Sequence, residues 1–391
     1  MYNILTLNSI SDIGLSKLKP EKYNVGNDVQ NPDGIILRSF DMHNMDLPDS
    51  LFAVARAGAG TNNIPIDKCS EKGVVVFNTP GANANAVKEL VLTGIFLSSR
   101  KIIQGIEWAK DLKDEENVDK LVEKGKGQFT GPEIMGKKLG VVGLGAIGVL
   151  VANAAVNLGM KVYGYDPFLS VDSAWSLSSS VIKASSYEEV VSQCDYISIH
   201  VPLNASTKGM FNADLFAEAK PGMRLLNFAR GGLVDNAALK DAIDKGIVAE
   251  YITDFPDKEV LSFNNVICIP HLGASTPESE ENCAEMAVDE LKQYLKYGTI
   301  KNSVNLPDCL VAYTGKVRLG LIHKNISGMI GAFTSIISEE GINIDNMVNK
   351  SKGDWAYTLL DLDTLNGSRE RIIEKLNAIE GMAKARVVRE K

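Results

Sequence analysis

Two side chains in this sequence stand where they could move a proton and hold a carboxylate: His271 in IPHLGAST and Arg230 in NFARGGLVD. Each follows an apolar run that reads as a strand, so each is expected at a strand end, where loops open onto a cleft. A guanidinium there can grip a carboxylate through two parallel N–H donors. Imidazole, which changes charge near pH 7, can take or give the proton of a hydroxyl. Upstream lies VVGLGAIGVLVANAAVNLGMKVYGYD, an apolar run, Gly143-x-Gly145-x-x-Gly148, an Ala- and Val-rich helical segment broken at Gly159, a second apolar run and a terminal Asp166. That is a whole βαβ unit for a dinucleotide. One glycine makes the tight turn, one lets backbone N–H groups approach a pyrophosphate, and one lets helix pack on strand. The helix N-terminus adds a positive dipole end for the phosphates. Asp166 follows Gly148 by eighteen residues, near the roughly twenty expected of the carboxylate that bonds the adenine ribose hydroxyls. Its charge would repel a 2′-phosphate, so NAD is favoured over NADP.

These groups need a scaffold, and the strand and helix signals supply one. Residues 2–7, 34–38, 52–56 and 74–77 read as strands with short helices between them, which implies a small parallel sheet. Its strand ends deliver Arg38, the Gly58-Ala59-Gly60 loop of RAGAG, and residues 78–83 of NTPGANAN. Exposed backbone N–H groups plus one guanidinium can hold a small anion there. An apolar helix over residues 84–100 crosses into a second unit. Residues 101–136 are charged at helical spacing and read as a solvated helix. Further strand and helix pairs up to residue 269 complete a doubly wound sheet of about six strands. A long helix over 276–297 returns towards the first unit, which is therefore discontinuous in sequence. Of the other histidines, His200 in IHVPL also sits at a strand end near the cofactor.

Composition narrows the function class. A chain of 391 residues suggests two or three domains. A net charge of −8 argues against a nucleic-acid surface and against an acidic membrane. No apolar run reaches the roughly 18 residues of a membrane span, and the first residues lack the pattern of a signal peptide. Five cysteines with no CxxC pair are the usage of a reducing cytoplasm, with no metal-ligand spacing.

Taken together, GLGAIG with YDP, HVPLNASTKGMFN, NFARGGLVDNAAL, TDFPDKE and PHLGAST resemble, in order, the motifs of the NAD-dependent D-2-hydroxyacid dehydrogenases. The resemblance covers residues 1–305. It implies a flavodoxin-like substrate domain (1–98 and 282–310) and a Rossmann NAD-binding domain (99–281), both doubly wound α/β parallel sheets. Carried over, Arg230 would bind the substrate carboxylate and keto oxygen, His271 would be the proton donor and acceptor, and Glu259 its carboxylate partner. Asp254 would bond the nicotinamide carboxamide. Thr79, Ala146, Ile147, Val201, Phe228, Ala229, Gly273 and Ala274 would line the cofactor, and Arg38, Ser39, Gly58, Ala59, Gly60 and Asn83 the substrate. The chemistry is consistent: hydride leaves C2 of a hydroxy acid while the hydroxyl proton goes to neutral imidazole. The chain departs from the family's DVFxxEP, because Val260 replaces the proline after Glu259 and Asp257 is a rival carboxylate.

Residues 316–391 read strand, helix, strand, strand, helix, strand, with the first helix over about 328–340 and the next strand over 342–347. This βαββαβ tail resembles an ACT domain, which binds amino acids at domain pairs. Within the family, that pairing resembles the members that oxidise 3-phosphoglycerate. His323, Asn325 and Asn343 match the positions that hold L-serine as feedback inhibitor, although Ser327 replaces a usual proline. Phe40 stands where some relatives carry a second arginine, so Lys137 or Lys138, of this chain or of a neighbouring subunit, is the candidate for the phosphate. The resemblance also implies a homodimer or homotetramer. Alternatives are a glyoxylate/hydroxypyruvate reductase, a D-lactate dehydrogenase or a non-catalytic NAD-sensing regulator.

Overall fold

The computed structural model describes residues 1–367 and 369–390. It divides into two units, Met1–Asn83 with Pro277–Lys391, and Ala84–Thr276.

In the first unit, strands in the order Tyr23–Gly26, Tyr2–Leu7, Gly34–Leu37, Ala53–Arg56 and Val75–Phe77 pair in parallel. The sequences GIIL and VVF are buried along their whole length. Continuous apolar runs of this kind suit strands covered on both faces. The helix Pro277–Tyr297 lays Cys283, Ala284, Ala287, Val288, Leu291, Tyr294 and Leu295 into the core. Their three- and four-residue spacing is one apolar stripe of a helix. Glu290 on the same helix is 8% exposed. Its Oε1 accepts from Asn302 Nδ2 at 2.7 Å, its Oε2 has no partner among the described residues, and burial pushes its carboxyl up to about 8.

The tail belongs to this first unit. Its antiparallel sheet runs Ile344–Lys352, Trp355–Leu362, Val317–Lys324, Met382–Glu390, with helices Met329–Glu339 and Arg369–Asn377. The strand Ile344–Lys352 runs beyond the 347 read from sequence. NKSK is polar because that strand is an exposed edge, paired on one side only. Rather than standing apart, the tail shares a core with the parallel sheet, since Ile322, Tyr357 and Leu359 pack with Tyr294 and Leu295. Tyr357 OH donates to Gly298 O at 2.8 Å, and Arg386 donates to Tyr294 O at 2.8 Å. Fully buried Arg318 holds Asp361 through Nε and Nη2 at 2.6 and 2.7 Å, and its Nη1 reaches the carbonyls of Tyr297 and Val311 at 3.1 Å.

The second unit is a seven-stranded parallel sheet: Val266–Cys268, Val248–Thr253, Met223–Asn227, Tyr196–Ile199, Lys138–Val142, Lys161–Tyr165, Ile182–Lys183. The chain order reverses beside Lys138–Val142, the switch point at which such sheets open a ligand crevice. Helix Ala84–Arg100 buries Val87, Val91 and Ile95 against Val141, Leu226 and Phe228. The division therefore falls before this helix, at Asn83/Ala84, rather than at residue 98. Helices Ile102–Asp111 and Val118–Gly125 bury no residue, as solvated charged segments do.

Candidate active site

The glycine turn of the second unit is built on close approach. Gly143 has φ +91°, and a Cβ there would lie 2.7 Å from the His200 carbonyl and 2.9 Å from Val201. A Cβ on Gly148 would lie 1.9 Å from the Gly143 oxygen, so both positions demand glycine. Gly145 precedes the helix Ala146–Asn157, and nothing lies within 4 Å of its absent side chain. The first-turn N–H groups of that helix, those of Ala146 and Ile147 among them, have no partner within the helix, which suits a pyrophosphate. Asp166 immediately follows the next strand, Lys161–Tyr165, and accepts from Leu144 N and Phe168 N, each at 2.8 Å. It lines a cavity of about 440 Å³ with Leu144, Lys183 and Ala184, sized for an adenosine. His200 bonds Ser198 Oγ at 2.8 Å, and burial pushes its pKa down to about 3.

Arg230 and His271 meet through a residue that the sequence did not single out. The Arg230 guanidinium lies 5.9 Å from the Phe255 ring centre, and the His271 ring lies 4.5 Å from it. Beside them Asp254 is 1% exposed. Its Oδ2 accepts from Gly273 N at 3.2 Å, and its Oδ1 is buried without a partner among the described residues. Burial raises the Asp254 pKa, and the charges of His271 and Arg230 work against that rise. The turn presenting Arg230 is tied by Asn227, which donates to Arg230 O at 2.8 Å and accepts from Ala229 N at 3.2 Å. Phe228 packs inward into the core just before it. Asn227 was legible only as one letter of NFARGG, because its work is done on backbone atoms.

Glu259 is placed elsewhere than the resemblance implied. Its Oε2 accepts from Asn236 Nδ2 at 2.9 Å, and the same nitrogen donates to Asp257 Oδ2 at 2.9 Å. His271 makes no hydrogen bond among the described residues, so the two members of the expected pair are apart. Asp257 is fixed by Val260 N and Glu259 N at 2.8 and 2.9 Å. These donors, the Val260 N–H above all, hold its carboxyl below the usual range.

In the first unit, Arg38 pairs with Glu280 at 2.6 Å. Its carbonyl accepts from Arg56 Nε at 3.0 Å and Asn63 Nδ2 at 3.2 Å. Ser39 N and Phe40 N both donate to Asn8 Oδ1. Arg56 lies under the glycine loop: added Cβ atoms on Gly58 and Gly60 would meet its Nη1 at 2.7 and 3.3 Å. Asn78 Nδ2 donates to Ala59 O at 2.6 Å, and Thr79 N to Gly58 O at 3.1 Å. Thr79 is fully buried with Oγ1 unpaired among the described residues, and Asn83 is half-buried. In the second unit Lys138 opens its strand, at the end away from the glycine turn, with Nζ on Gln193 at 2.9 Å.

The three tail residues do not meet within one chain. His323 is buried, bonded to Lys324 O at 2.8 Å and Thr358 Oγ1 at 3.0 Å. Asn325 Nδ2 donates to Gly353 O at 3.3 Å. Asn343 Nδ2 donates to Asp345 at 3.0 Å. Lys324 and Lys352 both pair with Trp355, whereas Ile344 pairs with Leu362, as does Val317. Asn343 is therefore at the opposite end of the sheet from His323 and Asn325.

A glycine cradle open at a helix N-terminus, an acid at the ribose position and an orphaned buried carboxylate oxygen beside Arg230 and His271 fit a nicotinamide dinucleotide. This is the apparatus of a dehydrogenase. A family model for the NAD-binding domain of D-isomer specific 2-hydroxyacid dehydrogenases matches residues 94–273. The chain is 32% identical over 361 residues to D-3-phosphoglycerate dehydrogenase of Bacillus subtilis, covering 88% of this chain and 66% of that protein. With the enzyme of that name from Escherichia coli it shares 31% over 351 residues, covering 87% and 82%. The chain thus spans about two thirds of the length of the B. subtilis relative. The cofactor(NAD+)-bound 3-phosphoglycerate dehydrogenase of Entamoeba histolytica superposes with a TM-score of 0.59 at 25% identity, over 78% of this chain and 98% of that one. The chain belongs to the NAD-dependent D-2-hydroxyacid dehydrogenases, the family of these phosphoglycerate dehydrogenases, and NAD is its cofactor.

Proposed function

We propose that the chain oxidises 3-phospho-D-glycerate to 3-phosphohydroxypyruvate, the first step towards L-serine. The observation that carries the reaction is the grouping of Arg230 and His271 on one aromatic ring beside buried Asp254. Arg230 binds the substrate carboxylate bidentately and polarises the C2 oxygen. His271, as neutral imidazole, takes the hydroxyl proton while C2 loses hydride; bound NAD supplies the hydride acceptor. Asp254 Oδ1, buried and without a partner among the described residues, would accept from the carboxamide of the bound cofactor and so hold its nicotinamide in place. Glu259 steadies the imidazolium when it swings off Asn236. In the first unit Arg38, Ser39, Asn83 and the Gly58–Gly60 loop hold the phosphate end. Arg56, beneath that loop, takes the place of the missing second arginine.

L-serine regulation fits a pair of tails. Two edge strands Ile344–Lys352 pairing antiparallel about their centres would bring Asn343 of the partner subunit to the Gly353 turn, where Asn325 is bonded. A serine there acts only by its differential affinity for the less active state. The substrate reading is tested by Arg56→Ala and Arg38→Ala. Each should raise KM for 3-phosphoglycerate by tenfold or more, on the scale of about 1.5–3 kcal/mol per charged hydrogen bond. KM for D-glycerate should hardly change, and equal effects on both substrates would remove the phosphate role. A titration of the intact protein with millimolar L-serine, by calorimetry and rate, tests the regulatory part; neither heat nor inhibition would reject it.

A further inference from the structure

We propose that Asn236 is a positioning residue for the acid/base pair: its amide nitrogen holds Glu259 off His271 and so sets how readily Glu259 reaches the imidazole. The inference rests on the reading of His271 and Glu259 given above.

The backbone of Asn236 is anchored. It is the first residue of the helix Asn236–Asp244, whose cap Asp235 accepts from Ala238 N at 2.8 Å. A primary amide has two N–H donors, and here both are spent on carboxylates, Asp257 Oδ2 and Glu259 Oε2, each at 2.9 Å. The two acids are not held alike. Asp257 keeps two backbone donors, Val260 N and Glu259 N, whatever Asn236 does. The Glu259 carboxylate has Asn236 as its only hydrogen-bond donor among the described residues. Asn236, Asp257, Glu259 and Phe255 line one cavity of about 650 Å³, which gives the glutamate room to turn. The ring of Phe255 packs against His271.

Removing the amide therefore changes one carboxylate and spares the other. Asp257 stays fixed and charged, and its repulsion, no longer offset by the shared donor, drives Glu259 away. Besides Asp257, Lys208 and Asp235 are charged groups on the wall of the same cavity; within the site His271 and Arg230 both act on Asp254. An imidazolium gains from a new anionic partner, so the neutral base is formed only at higher pH. Hydroxy-acid oxidation needs that neutral base, and the acid limb of its pH profile should rise.

The test is the pH profile of kcat/KM for oxidation, measured on the full chain with NAD, for the unmodified protein, Asn236→Ala, Asn236→Asp and Asn236→Gln. Asn236→Asp keeps the shape, and an acid at a helix N-terminus is favourable, so it provides a folded variant if alanine does not. We expect both Asn236→Ala and Asn236→Asp to move the acid limb up by about 0.5–1 unit, the scale of one exposed charge contact. Asn236→Gln, which keeps the donor, should restore most of the original profile. In a Glu259→Gln background the shift should vanish, which separates positioning from a general electrostatic change. An unmoved or lowered limb overturns the role of Asn236, as does a shift that survives in Glu259→Gln. His271→Asn distinguishes the two levels: a fall in kcat of about 10²-fold or more with no Asn236 effect sinks only this inference, and near-normal kcat sinks the reading on which it rests.

Discussion

Asp254→Asn probes the cofactor site through a buried carboxylate. Asp254 is 1% exposed, with Oδ2 on Gly273 N and Oδ1 buried and unpaired among the described residues. Its pKa is raised, burial being the main cause. For an acid with a raised folded-state pKa, the folded form binds more protons than the unfolded form between the two pKa values, so stability falls as pH rises through that window. An amide removes that dependence and can still accept from Gly273 N. It also puts an N–H where the nicotinamide carboxamide must donate. A lost hydrogen bond with a buried unsatisfied donor costs about 1–3 kcal/mol, or roughly 5- to 150-fold in NAD affinity. The assays are NAD titration by fluorescence and thermal melting with and without NAD at pH 8. The variant should melt no lower than the unmodified chain without cofactor and gain much less from saturating NAD. Unchanged NAD affinity, or a cofactor-free chain destabilised by several kcal/mol, would refute the assignment.

Three further outcomes follow from the same geometry. Asp166→Ala should relax discrimination against NADP by about tenfold, worth about 1.4 kcal/mol, chiefly by weakening NAD, since Asp166 also ties Leu144 N and Phe168 N; equal use of NAD and NADP by the unmodified protein would contradict this reading. Glu290→Gln should raise the melting temperature at pH 8 more than at pH 5, because a carboxyl pushed up to about 8 destabilises the fold increasingly as pH rises from the ordinary carboxylate range; parallel melting curves at both pH values count against it. Burial alone would raise the Asp361 pKa, but Arg318 outweighs it and the net shift is downward, so its contribution is present at neutral pH and lost in acid. Asp361→Ala should therefore cost about 3–5 kcal/mol at pH 7 by stranding a buried guanidinium, and a change below about 1 kcal/mol would mean the pair is dispensable.

The parallel sheets were legible because their strands are unbroken apolar runs and their punctuation is glycine. Gly143, Gly148 and Asp166 could be read from spacing alone, since spacing is what a backbone turn fixes. The tail's docking was not legible: Tyr357, Arg386 and Arg318 look like ordinary strand residues until their partners, as far as 92 residues away in the chain, are known. Nothing in the βαββαβ pattern of residues 316–391 told that its inner face completes the core over Tyr294. Side-chain direction was equally hidden. Glu259 has the right place in the chain, yet an asparagine in a neighbouring motif decides where it points. Likewise Asn343 and His323 lie on one small sheet, but antiparallel register sends them to opposite ends.

The most direct test of the account is the initial rate of NAD reduction with 3-phosphoglycerate, D-glycerate and D-lactate at matched concentrations. Oxidation of 3-phosphoglycerate with a kcat/KM at least tenfold above either competitor is predicted, a margin of about 1.4 kcal/mol for the phosphate contacts. Equal or better use of D-lactate or D-glycerate, or no NAD reduction with any of the three, would contradict it.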